Sequence, residues 1–151
     1  YLSGCVVARE GALIGHVARL RGPVYLGRGS RVGHGSEIKC SVLLPGATAA
    51  HLNFVGDSVL GERCNLGAGA VCANLRFDGR PITAASSLGA VPTGRRKCGA
   101  LVGCEAQIGC SCTLGPGSAV GRKAWVMPNL FVRGWIAPGT RVIHSEGASH
   151  V

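Results

Sequence analysis

Aromatic and charged residues are both scarce: the 151 residues include two Trp, two Tyr and three Phe, and only 15% are Asp, Glu, Lys or Arg. Too few rings interleave with the scattered basic residues to make a stacking platform for nucleic acid. The formal charge is nonetheless +9, so an anionic partner is expected, and phosphate, nucleotide or coenzyme A is favoured over nucleic acid. No Cys-x-x-Cys pair occurs among the eight cysteines, and Cys104, Cys110 and Cys112 fall six and two residues apart, which speaks against a zinc framework or a disulfide scaffold. They read instead as free thiols, several of them filling small interior positions, in a reducing cytoplasm. No apolar run reaches membrane-spanning length and no charged-then-apolar leader opens the chain, so no membrane partner is expected. The chain begins at Tyr1 rather than Met, which suggests a piece of a longer protein. Its length corresponds to one domain.

What is present is glycine, 25 residues of it, and a repeat. Every sixth residue from Leu2 is apolar: Leu2, Ala8, Ile14, Leu20, Leu26, Val32, Ile38 and Leu44. Four places after each stands a small residue: Val6, Ala12, Ala18, Val24, Ser30, Ser36, Val42 and Thr48. A second series runs Leu60, Leu66, Cys72, and the same phase returns at Val102, Ile108, Leu114, Val120, Val126 and Val132. A period of six is neither the 3.6 of an amphipathic helix nor the 2.0 of an alternating strand. It fits one short strand plus one sharp turn, three units making a triangular coil. The expected fold is therefore all-β, a single-stranded parallel β-helix built of hexapeptide repeats. About 17 units give nearly six coils, roughly 30 Å long at ~4.8 Å per step.

The solenoid is expected over residues 1–142, with a frayed tail over 143–151. The period breaks twice. Leu44 to Val55 is a step of eleven and Val55 to Leu60 a step of five, while 75–99 lacks the period and reads as a long inserted loop of functional type. Residues 18 apart stack in successive coils, so Arg21 and Lys39 are expected about 4.8 Å apart. Their repulsion, roughly 1 kcal/mol even in water, would be relieved either by splaying into solvent or by clamping a phosphate dianion. His51 lies in the first break. An imidazole changes charge between pH 5 and 8 and can take a proton from an amine. His16 and His34 are also 18 apart, which brings a metal ladder to mind; with no closely spaced histidine pair in the sequence they read as exposed turn residues, and no metal is expected. Asn65 and Asn74 are candidates to orient a sugar, though asparagine is common in turns.

The stretch His51-Leu-Asn-Phe-Val-Gly-Asp57, followed by Asn65-Leu-Gly-Ala-Gly69 and Asn74, resembles the acetyltransferase domain of the bifunctional N-acetylglucosamine-1-phosphate uridylyltransferases. Ala18-Arg-Leu-Arg21, Val32-Gly33, Glu37 and Lys39 fall at that family's intervals. Asn74-Leu-Arg-Phe-Asp-Gly79 and Thr93-Gly-Arg-Arg-Lys97 are similar to the archaeal-type sugar-1-phosphate nucleotidylyltransferases with a fused acetyltransferase. The similarity spans most of 14–140. It implies a left-handed β-helix, a homotrimer, and acetyl transfer from acetyl-CoA, with no metal needed, to the amine of glucosamine-1-phosphate or galactosamine-1-phosphate. It implies His51 as catalytic base. Arg21, Lys39, Phe54, Asn65, Asn74 and Arg80 match sugar-phosphate positions. Ala68 and Cys104 match the acetyl-CoA groove, with Arg122 and Lys123 placed to meet its phosphates. Backbone N–H groups near Gly67 to Gly69 are implied as oxyanion donors. Phe54 stands where the bacterial family has tyrosine, Arg80 where it has lysine, and Cys104 where it has serine. The alternative is a non-catalytic β-helix that assembles or regulates a sugar nucleotidylyltransferase.

Overall fold

The computed structural model describes residues 1–143; the expected tail from 144 on lies outside them. The described chain is a left-handed parallel β-helix with no helical segment. Twenty-one short strands form three parallel sheets of seven, one on each face of a triangular prism. The first face runs from Leu2–Ser3 through Arg19–Arg21, Glu37–Lys39 and Phe54–Gly56 to Phe131–Val132. The second runs from Val6–Ala8 through Val42–Leu43 and Val59–Leu60 to Trp135–Ile136, and the third from Leu13–Ile14 through Thr48–His51 and Asn65–Leu66 to Arg141–Val142.

One apolar residue per strand points inward and meets its counterpart one coil on. Leu20, Ile38, Val55 and Cys72 make such a ladder on the first face; Leu26, Leu43, Leu60 and Val102 make one on the second. All of these are buried, and each aliphatic side chain contributes about 1.5–3 kcal/mol by leaving water. Leu2, Ala8 and Ile14 belong to the same rows but are exposed, because the first coil has no coil beneath it.

Two details differ from the expectation drawn from the six-period. There are seven coils rather than nearly six, because the units at Ala49, Val55, Ile136 and Val142 also form strands. And the phase slips one unit earlier: Leu43, not Leu44, is the buried residue, and Ser41 and Ala47, not Val42 and Thr48, fill the small positions. Both five-residue units, Ile38 to Leu43 and Val55 to Leu60, turn the corner between the first and second faces through a residue at positive φ, Cys40 (47°) and Asp57 (48°). The missing residue is compensated by two stacked serines. Ser41 Oγ accepts from the Ser58 N–H at 3.0 Å, and Ser58 Oγ accepts from the Ala100 N–H at 2.9 Å, so the shortened corner keeps its backbone donors satisfied.

The aperiodic stretch leaves this corner after Asn74 and returns at Cys98, whose N–H donates to Asn74 O. It is not structureless: Thr83–Ser86 and Gly89–Pro92 pair antiparallel as a hairpin. The hairpin lies over the second face, with the Ala85 N–H on Gly117 O, and leaves a groove of about 480 Å³ against Val59, Leu101 and Trp135.

Candidate active site

His51 ends its strand at the corner between the third and first faces. Backbone bonds run up this corner one coil at a time: Leu52 N–H to His34 O, Gly69 N–H to His51 O, Ser111 N–H to Ala68 O. Each step pairs the preceding residue with its neighbour, so His34, His51, Ala68 and Cys110 form one column. The His51 side chain is exposed, and the residue above it is only an alanine, which leaves room beside the imidazole. The turn is held from within by Asn53, 2% exposed. Its Oδ1 accepts the His51 N–H at 3.1 Å, and its Nδ2 donates to Gly67 O at 2.8 Å and Ala70 O at 3.3 Å. A buried amide with these partners fixes the corner on which the imidazole rides.

Arg21 and Lys39 are register partners at the opposite edge of the first face, as the 18-residue rule requires. Neither splays into solvent, and neither is a bare cation. Arg21 Nη2 and Nε lie 2.6 and 2.8 Å from Glu37 Oε1, and Lys39 Nζ lies 2.9 Å from Asp57 Oδ2. Asn74 Nδ2 donates to the same Asp57 oxygen at 2.5 Å. Burial alone would lower the pKa of Lys39, but the hydrogen bond and charge of Asp57 outweigh it and raise it. The expected mutual repulsion is thus cancelled by two carboxylates of this chain. Phe54, half-buried, lies between this cluster and His51 on the same face; a β-carbon on Gly56 would collide with both the Phe54 ring and the Asn74 amide, so that glycine lets the three close up.

The remaining candidates separate. Asn65 sits on the third face, between Thr48 and Gln107. Arg80 stands exposed on the inserted loop, its backbone N–H on Asp78 Oδ1 at 3.1 Å. Ala68 joins His51, but Cys104, Arg122 and Lys123 are at the corner between the second and third faces, where the Lys123 N–H donates to Cys104 O. There Arg122, Arg63 and Lys123 approach Glu105 at 3.0, 3.3 and 3.7 Å. The hydrogen bond from Arg122 chiefly, then the Lys123 charge and Arg63, hold the Glu105 carboxyl below the usual range. An open cleft of about 780 Å³ runs from this corner along the third face, lined by Arg63, Glu105, Gln107, Lys123 and Trp125. Among the described residues no group of three or more His, Cys, Asp or Glu is arranged to hold a metal ion, and no helix is long and apolar enough to cross a membrane.

Sequence reasoning gave no role to Asp57, Glu105 or Asn53. Asp57 was within reach, being 18 residues after Lys39 as Lys39 is after Arg21. Glu105 was not, because the insertion puts 42 residues between it and Arg63.

The fold places the chain among hexapeptide-repeat β-helices, a class to which solved acetyltransferases also belong. The acetyltransferase domain of PglB from Neisseria gonorrhoeae, solved in complex with acetyl coenzyme A, superposes with a TM-score of 0.59 at 17% identity, over 90% of this chain and 53% of that one. In sequence the chain is 32% identical over 130 residues to the bifunctional protein GlmU of Methanococcus aeolicus, covering 86% of this chain and 31% of that protein. It is 37% identical over 103 residues to the bifunctional sugar-1-phosphate nucleotidylyltransferase/acetyltransferase of Sulfurisphaera tokodaii, covering 68% of this chain and 26% of that protein. No protein-family model matches. The resemblance read from the His51–Asn74 stretch therefore holds: the chain is homologous to part of these bifunctional proteins, and it spans less than a third of their length.

Proposed function

We propose that this chain is the acetyltransferase part of a nucleotide-sugar biosynthesis enzyme, moving an acetyl group from acetyl-CoA to the amine of an amino-sugar 1-phosphate, glucosamine- or galactosamine-1-phosphate. The observation that carries the reading is the position of His51 on the edge between two differently furnished faces. One is the first face, with Phe54 and the Arg21, Lys39 and Asn74 cluster at its far edge. The other is the third face, with Asn65 and a cleft that starts at Arg63, Arg122 and Lys123. The sugar phosphate lies across the first face, its phosphate drawing Arg21 and Lys39 from their carboxylates, with Arg80 reaching in from the loop. Acetyl-CoA lies along the third face, its phosphates at the cationic corner beside Cys104 and its thioester beside Ala68. Holding both partners at one edge turns a bimolecular encounter into a local one.

The amine attacks the thioester carbonyl, His51 accepts the proton that nitrogen sheds, and the carbon–sulfur bond breaks to release CoA, which takes a proton in turn. The Gly67 and Gly69 N–H groups, implied as oxyanion donors by the resemblance, are already bonded to Ile108 O and His51 O. Among the described residues the Ala68 N–H has no backbone acceptor, and it faces the corner of His51; the oxyanion role falls to it. No covalent intermediate is required. Homologues with both activities in their names and a fold neighbour solved with acetyl-CoA support the reading.

A homotrimer belongs to the proposal. The outward row of the second face is apolar throughout, Val7, Tyr25, Val42, Val59, Leu101, Ala119 and Trp135. The corresponding row of the third face is largely polar, with Arg31, Thr48, Asn65 and Gln107. An apolar sheet face of this length is suited to burial between copies. The test is CoA release from acetyl-CoA with amino-sugar 1-phosphates. Rapid release with the phosphorylated amine and little with the free amino sugar supports the assignment. No release with any amino-sugar phosphate favours the assembly-module alternative.

A further inference from the structure

His16 and His34, read from sequence as separate turn residues, are in direct contact. His34 Nδ1 lies 3.0 Å from His16 Nε2, the ring centroids are 4.5 Å apart, and both side chains are exposed. His34 is in turn the register partner of His51, so three imidazoles occupy one corner column. In the structure the short contact is a single N–H···N hydrogen bond. If His34 carries its proton on Nε2 instead, both facing nitrogens present lone pairs to the same point, and nothing covers that point. Shifting the proton between ring nitrogens needs no co-reactant.

We propose that His16 and His34 form a two-imidazole chelate for a first-row transition-metal dication of the nickel or copper type. With metal–nitrogen bonds of about 2.0–2.1 Å, nitrogens 3.0 Å apart subtend about 90–97° at the metal. That is the cis angle of square-planar and octahedral coordination, which Ni²⁺ and Cu²⁺ favour. Tetrahedral Zn²⁺, at about 109°, needs about 3.4 Å between the nitrogens and fits less well. The β-helix holds the two backbones one strand spacing apart, so the rings are organised before metal arrives. Water completes the shell. A dication there sits one coil below His51, and that adjacency makes it an inhibitory site if the proposed transfer is correct. The binding itself does not depend on that reading.

The test is calorimetric titration of the tag-free chain with NiCl₂. Nickel is chosen over copper because Cu²⁺ oxidises thiols, and this chain has eight cysteines. Saturable uptake of one Ni²⁺ per chain is expected. His16→Gln and His34→Gln should each weaken it at least about tenfold, since losing even an outer-shell partner of a metal site costs 10–100-fold. Cys110→Ser, in the same column, should leave it unchanged. Both histidines are exposed, so the variants should fold, and an unchanged circular dichroism melt checks that they do. Absence of saturable binding, equal affinity in the two histidine variants, or a loss confined to Cys110→Ser would overturn the assignment.

Discussion

Lys39 and Asp57 are joined across one coil at the shortened corner, Nζ to Oδ2 at 2.9 Å, with both side chains about 85% removed from solvent. Asp57 is also the residue at positive φ that lets the five-residue unit turn, and it accepts from Asn74. One carboxylate thus sets the corner, the cation and the amide. Deleting it should leave Lys39 charged, half-buried and unpaired. Removing one member of a buried pair costs about 3–5 kcal/mol, and the residual exposure here places Asp57→Ala near the low end. The double variant Lys39→Met with Asp57→Ala should recover most of that loss, because no charge is stranded. Thermal melts of the four proteins of the cycle give the coupling; additive losses would show that the pair is not an energetic unit.

The apolar second face gives a prediction about assembly. The protein should scatter light as a trimer, and Val42→Glu, which puts a charge in the middle of the outward row, should shift it to monomer. A wild-type monomer with full activity would remove the trimer from the account.

Thiol behaviour separates the inward cysteines from those at the corners. Cys64, Cys72 and Cys112 are buried. Burial foremost, with nearby Cys72 and Cys104 adding, pushes the Cys64 thiol up to about 12, and burial does the same for Cys72. In the unfolded chain such thiols ionise near 8.5. Above that pH the unfolded state binds fewer protons than the folded one, so stability falls as pH rises, by up to about 1.4 kcal/mol per pH unit and thiol. Melting temperature should therefore decline between pH 9 and pH 12, and the decline should flatten in Cys64→Ala with Cys72→Ala. Brief alkylation read by mass spectrometry should label exposed Cys5 and Cys110 and spare the three buried thiols.

Much of this was legible in the sequence, for a definite reason. In a solenoid whose coils repeat every 18 residues, sequence separation reports spatial contact, so the Arg21–Lys39 stacking and the inward ladders follow from counting. The same rule, carried one coil on, reaches Asp57. Counting fails where a unit loses a residue. The corners at Cys40 and Asp57 displaced the buried position from Leu44 to Leu43, and nothing local in Leu43-Leu44 distinguishes the two. It fails again across the insertion, which hides the Arg63–Glu105 pair and folds into a hairpin of small residues with weak alternation. The contact between His16 and His34 depends on rotamers, which period and spacing do not encode.

The central claim is that His51 takes the proton of an attacking amine, and single-turnover release of CoA from acetyl-CoA and glucosamine-1-phosphate tests it most directly, comparing wild type with His51→Ala. Turnover should fall by roughly two to four orders of magnitude, the usual contribution of a positioned base, with acetyl-CoA affinity nearly unchanged. Lys39→Ala, in the same assay, should instead lose about 1.5–3 kcal/mol in binding of the sugar phosphate. Wild-type turnover in His51→Ala would contradict the account, whatever the fold and the homologues have in common.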